Sequence, residues 1–114
     1  MKVQVENLAK QQLIDIYYYN YQYSIKNAIE ITENIMMNID NLNDFPYIGK
    51  HIMEIENENF REIICRKSRN SGYRIIYYIS QKQDKIYVLS IINGKQDFKT
   101  FLKLHNYFKN YYIF

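Results

Sequence analysis

Basic side chains are unevenly spread along this sequence. Residues 61–114 carry eleven Lys or Arg against three Asp or Glu, a balance of +8, while residues 1–60 carry four against nine, a balance of −5. Guanidinium and ammonium groups gathered in one stretch can grip phosphate oxygens or stabilise charge that develops on a phosphate as it reacts. The back half therefore reads as a surface facing a polyanion. A solvated charged face in a Lys-rich composition accounts for the same count.

Other reactive groups are sparse. His51 follows a glycine in an irregular stretch and His105 lies near the C-terminus; each reads as a surface or packing residue. Cys65 is the one cysteine, so no internal disulfide forms. It sits in the apolar run Ile63-Ile64-Cys65, where a buried structural thiol outweighs a nucleophile. The sequence has no Cys/His cluster at metal-ligand spacing and no glycine-rich phosphate loop, so no metal and no cofactor are expected.

These groups must be positioned by one domain, because 114 residues leave no room for a second core. Apolar residues make up 47% of the chain, enough to close that core, and three Gly with one Pro argue against long disordered segments. Thirteen Tyr beside heavy Ile, Asn and Lys usage suggests AT-rich coding bias, which warns against giving every Tyr a role. The N-terminus lacks an apolar stretch of signal-peptide length, and nothing approaches the ~20 apolar residues of a membrane span. The expectation is a soluble cytoplasmic protein.

Val3 and Val5 alternate as in a short strand. Asn7 is placed to N-cap a helix with Ala9, Leu13, Ile16 and Tyr17 on one face, and Ser24 to cap a second helix. The second stripe is Ile25, Ala28, Ile29, Thr32, Ile35, Met36, Ile39 and Leu42. Residues 1–44 thus predict a short strand and a helical hairpin. Asp44-Phe45-Pro46-Tyr47-Ile48-Gly49 breaks the helix, and an irregular acidic stretch is expected to about Asn59. Residues 60–93 predict a three-stranded antiparallel meander: Phe60–Arg66, Tyr73–Ile79 and Ile86–Ile92, with turns at Ser68–Gly72 and Gln81–Asp84. Asp97 can cap a last helix over 97–110. The order β-α-α-β-β-β(-α) gives an α+β fold, with the hairpin packed on one face of a small, mainly antiparallel sheet.

That order and several motifs within it resemble the RelE/ParE toxin superfamily. Phe45-Pro46-Tyr47-Ile48-Gly49-Lys50 resembles the family's Pro-x-x-Gly-basic break. Phe60-Arg61-Glu62-Ile63 resembles the Arg-Glu-aliphatic strand of ParE-like members, and Ser71-Gly72-Tyr73-Arg74-Ile75-Ile76-Tyr77 the Tyr-Arg-aliphatic-aliphatic-Tyr strand. Val88–Asp97 resembles the final strand with its Gly-basic-x-Asp ending. The similarity runs to about Phe101.

The resemblance implies a toxin of a type II toxin–antitoxin system, with a cognate antitoxin as partner in a hetero-oligomer. ParE-like members act on DNA gyrase by binding; RelE-like members cleave messenger RNA on the ribosome. Where the RelE pattern has a late Arg and Tyr, this sequence has Gln96 and Leu102, which favours the ParE-like reading. Target-binding candidates are then Arg61, Arg66, Lys67, Arg69, Arg74 and Lys95. If the chain is a nuclease, Lys67, Arg74 and Lys95 are the catalytic candidates. An alternative leaves Arg61 and Arg74 pairing with Glu62 or Asp97 and orienting the sheet edge. In Tyr17-Tyr18-Tyr19-Asn20-Tyr21-Gln22-Tyr23, helical geometry points successive rings about 100° apart, so some must face outward. Tyr18, Tyr19 and Tyr21 are the antitoxin-binding candidates; AT-rich codon drift with snorkelled hydroxyls accounts for the run at least as well. An inactive antitoxin-binding regulatory module remains the third reading.

Overall fold

A computed structural model of the chain describes residues 1–53, 55–68 and 71–94. Its elements are β1 (Lys2–Val5), α1 (Asn7–Tyr21), α2 (Ile25–Asn41), β2 (Lys50–His51), β3 (Phe60–Ser68), β4 (Ser71–Ser80) and β5 (Lys85–Asn93). They form one sheet in the order β1-β5-β4-β3-β2. β1 runs parallel to β5, and every other pairing is antiparallel. The fold is α+β, as the element order predicts; the expected helix over 97–110 lies outside the described residues.

The helical hairpin covers one sheet face. Ala9 and Ile16 of α1, and Ile35 and Ile39 of α2 with Leu42 beyond it, meet Cys65, Ile75, Tyr77, Ile79, Ile86, Val88 and Ile91. Full burial of an Ile or Leu contributes roughly 1.5–3 kcal/mol, so this layer dominates the hairpin's docking. Gln12 adds direction. Its Oε1 accepts from the Ile91 amide at 2.7 Å and the Ser90 hydroxyl at 3.1 Å. Those residues adjoin a bulge, where pairing with β4 shifts between Ile76–Ser90 and Tyr77–Val88. The bulge disrupts the ladder, and the α1 amide supplies an acceptor there.

The opposite face holds a second cluster of Ile52, Ile55, Phe60, Ile76, Tyr78, Tyr87, Leu89 and Ile92. Residues 75–80 of β4 are therefore buried without interruption. Unbroken apolar runs such as Ile75–Ile79 and Ile86–Leu89 are the signature of strands buried on both faces.

Three sequence expectations change in detail. Asn7 is the first residue of α1 rather than its cap. Glu6 holds the cap position without a side-chain bond, because its amide continues the parallel ladder to the Val88 carbonyl at 3.0 Å. Ser24 does cap α2, its hydroxyl accepting from the Asn27 amide at 3.2 Å. The buried stripe of α2 is narrower than expected: Ala28, Thr32, Ile35 and Ile39 are buried, whereas Ile25, Ile29 and Met36 are exposed. Finally, the stretch expected to be irregular contains β2, two residues paired with Arg61 and Glu62.

β2 is fixed from the core. The Tyr77 ring is fully buried, and its hydroxyl accepts from the Gly49 amide at 2.9 Å while donating to the Pro46 carbonyl at 2.9 Å. A Cβ on Gly49 would meet Tyr77 Oη at 2.6 Å and the Glu62 carbonyl oxygen at 2.8 Å, closer than atoms can sit. Gly49→Ala should therefore lower unfolding stability by about 2 kcal/mol or more. Tyr77→Phe should cost about 1–3 kcal/mol by stranding two buried main-chain groups. Urea unfolding followed by circular dichroism checks both; wild-type midpoints would remove Tyr77 as the anchor of this turn.

Candidate functional site

Strand alternation sends Arg61 and Arg74 to opposite faces of the sheet. Arg61 lies beside the Pro46–Gly49 turn. Its Nη1 donates to the Gly49 carbonyl at 2.7 Å, with a longer contact to the Tyr47 carbonyl at 3.4 Å. Its guanidinium carbon stands 5.1 Å from the centre of the Tyr47 ring, a cation–π arrangement. Two atoms here are buried without a hydrogen-bond partner, Arg61 Nε and His51 Nε2. They belong to residues paired across β2 and β3.

Glu62 faces the other way and is buried to 6% exposure. Arg74 Nε donates to its Oε2 at 2.9 Å, and Arg74 Nη2 contacts the same oxygen. Lys50 Nζ lies 3.6 Å from Oε1. The register produces this cluster: Ile64 opposes Arg74 and Glu62 opposes Ile76, so Glu62 and Arg74 are diagonal neighbours, and Lys50 is directly opposite Glu62. Two cations on one carboxylate leave a net charge of +1. The alternative pairing of Arg74 with Glu62 is thus present, whereas Arg61 turns to main-chain carbonyls instead.

The remaining candidates are less gathered. Arg66 opposes Gly72 near the far end of β3, and Lys67 falls where the register shifts between Arg66 and Ser68. Arg69 and Lys95 lie outside the described residues, as do Gln96, Asp97, Leu102 and His105. The tyrosine run sits at the C-terminal end of α1. Tyr18, Tyr19 and Tyr21 are 62%, 58% and 46% exposed. The rings meet edge-on or tilted: Tyr17 with Tyr18 at 5.4 Å, Tyr17 with Tyr21 at 5.9 Å, and Tyr19 with Tyr23 at 5.6 Å between centroids. Beside them a cavity of about 390 Å³ is lined by Gln12, Asp15, Ile16, Tyr19, Tyr73, Ile91 and Asn93.

Lys50, Tyr47 and the exposed apolar residues Phe45, Ile48 and Met53 were not singled out from the sequence for any site. The helix break around Pro46 and Gly49 was the available signal, because it brings that segment across to β3. A cavity of about 290 Å³ there is lined by Asn38, Asn41, Ile48, Gly49, Lys50, Glu62, Ile63 and Ile64. Cys65 is buried, and loss of hydration pushes its thiol up to about 11, so it is no nucleophile at neutral pH. Among the described residues no group of three His, Cys, Asp or Glu could hold a metal ion, and no helix is long and apolar enough to cross a membrane.

The family described as the ParE toxin of the type II toxin–antitoxin system, parDE, matches residues 3–98 of the chain. Solved structures share its fold, among them these two. One is the chromosomal ParDE toxin–antitoxin system from P. aeruginosa, with a TM-score of 0.60 and 16% identity over 81% of this chain and 94% of that one. The other is a mutant of the E. coli toxin RelE in the free state, with a TM-score of 0.59 and 15% identity over 82% of this chain and 83% of that one. No curated protein matches the sequence.

Removing Glu62 alone takes away the buried carboxylate that the Arg74 guanidinium is paired with. Glu62→Ala should cost about 3–5 kcal/mol, while Glu62→Met with Arg74→Met should recover most of that loss. Denaturant midpoints of the two variants separate the cases; equal losses would mean the pair contributes packing alone.

Proposed function

The chain belongs to the ParE toxin family, and on that premise we propose that it inhibits growth by binding a DNA-gyrase-type target and is neutralised by a cognate antitoxin. The observation that carries the binding reading is the engagement of Arg74. Its guanidinium is held by the buried Glu62 carboxylate, within a fixed cluster that includes Lys50. RNA cleavage would need that guanidinium on a scissile phosphate, where charge develops in the transition state. A binding surface needs only the cluster's net positive charge and a rigid position. Arg61, Arg66, Lys67, Arg69, Arg74 and Lys95 are the residues proposed to meet the target.

The antitoxin is proposed to cover Tyr18, Tyr19 and Tyr21. Exposed aromatics that touch one another beside a cavity suit an interface, because they bury a large area with few rotatable bonds. The outer edge of β3 supports an extended partner segment. β2 pairs with Arg61 and Glu62 only, and among the described residues no strand pairs with that edge from Ile63 to Ser68. Such an edge can accept an added strand.

The second reading, a ribosome-dependent mRNA endonuclease, is favoured by the near-equal likeness to the RelE fold. Induction of the chain alone should arrest growth, and co-expression of the protein from the neighbouring reading frame should restore it. Purified chain should inhibit gyrase supercoiling and leave messenger RNA uncut in a translation reaction mapped by primer extension. Supercoiling untouched at high molar excess removes the gyrase target, and mapped cleavage moves the chain to the endonuclease reading. Normal growth on induction leaves an inactive antitoxin-binding regulatory module. Changing Tyr18, Tyr19 and Tyr21 together to Ser should weaken antitoxin binding at least tenfold, measured by titration calorimetry, with the circular dichroism spectrum unchanged.

A further inference from the structure

The sheet has a second edge, at β1, and its chemistry differs from that of the β3 edge. A cavity of about 310 Å³ there is lined by Lys2, Val3, Gln4, Val5, Lys10 and Lys85. Three of those six residues are lysines, and no carboxylate is among the described residues that line it. The lysines come from three elements. Lys2 is on β1, Lys10 is in the first turn of α1 and Lys85 opens β5.

We infer that this cavity binds the phosphodiester backbone of a nucleic acid. Lys2 and Lys85 are direct Cα partners in the parallel ladder, so two like charges start from adjacent positions at this edge. Such a pair opposes folding unless an anion lies between the groups. Among the described residues neither nearby acid, Glu6 or Asp84, forms an ion pair with these lysines: the ion pairs are those of Glu62 with Lys50 and Arg74, and the Glu6 carboxylate accepts from the Gln4 side-chain amide at 3.2 Å.

Part of the strand's main chain is already occupied. Lys2 and Glu6 direct their amides into the sheet, to Asp84 and Val88. Val3 points its amide outward, and the Asn43 side chain already accepts from it at 3.2 Å. An added peptide strand would have to displace Asn43, whereas a phosphate needs only the ammonium groups. Lysine binds phosphate as a flexible point charge, which suits a backbone read without regard to base sequence.

The site lies at the opposite sheet edge from the open side of β3, and its test needs neither gyrase nor antitoxin. A labelled 20-base-pair DNA duplex and an RNA of the same sequence are titrated with the purified chain by fluorescence anisotropy, at several salt concentrations. Lys2→Gln, Lys10→Gln and Lys85→Gln together should weaken binding at least tenfold. They should also lower the slope of log affinity against log salt by about 2 to 3, since each phosphate contact contributes about 0.9. The control is Lys26→Gln with Lys82→Gln, two exposed lysines outside the cavity, and it should change the slope by less than half as much. Unchanged affinity and slope in the triple variant overturn the site. An equal loss in the control also overturns it, because diffuse charge would then explain the binding. Tighter binding of a labelled polyglutamate peptide than of either nucleic acid makes the site an acidic-peptide site and overturns the inference. Preference for duplex over RNA, or the reverse, identifies which backbone the cavity takes.

Discussion

The hydroxyl of Tyr77 ties the chain leaving the helical hairpin to the sheet. Its ring lies in the centre of the sheet, fully buried against the helices. A phenol in that position must find partners, and it finds the Pro46 carbonyl and the Gly49 amide. That choice pins the chain leaving α2 to the sheet. Once Gly49 is pinned, its own carbonyl is presented to Arg61, and the next residue, Lys50, falls opposite Glu62. The glycine is required because any side chain would collide with the hydroxyl that anchors it. One buried oxygen thus sets the path of the helix–sheet crossover and the place of two cations.

The charged cluster follows the same logic of burial. Glu62 is nearly inaccessible, so its carboxylate must be matched. Arg74 matches it with two nitrogens, and Lys50 approaches from the solvent side with a side chain that is 66% exposed. The exposed ion pair contributes little by itself. The buried one holds the Arg74 guanidinium against Glu62, which favours a rigid electrostatic surface over a side chain that must swing onto a substrate.

Much of this arrangement was legible in the residues. Ser24 reads as a cap and is one. The meander, the helical hairpin and the short first strand follow from periodicity, because apolar spacing decides which face is buried. The exceptions share a cause. Glu6 displaces Asn7 as the cap because a tertiary ladder holds it extended, and local capping preference loses to that ladder. β2 has no apolar pattern at all; a tyrosine 28 residues later fixes it. Ile29 and Met36 lie on the expected stripe of α2 yet face outward, because a helix lying on a sheet buries a strip narrower than its apolar residues occupy. The second core on the far face was written in the unbroken apolar runs, but alternation on one face does not reveal what covers the other.

Charge shows most clearly where sequence order and space part company. Counted along the chain, the front half is acidic and the back half basic. In space, Arg61 and Arg74 of the back half are engaged by main-chain carbonyls and a buried carboxylate, so the count overstates what they offer a partner. Lys2 and Lys10 of the acidic half meet Lys85 around one cavity, because the parallel pairing of β1 with β5 carries the N-terminus across the sheet. The parallel ladder is therefore what turns three scattered lysines into a local field. It also leaves β1 at an edge blunted by Asn43, while the other edge, at β3, has main-chain groups beyond the reach of β2. The two edges thus differ in chemistry, one presenting ammonium groups around a cavity and the other main-chain groups beyond the short β2.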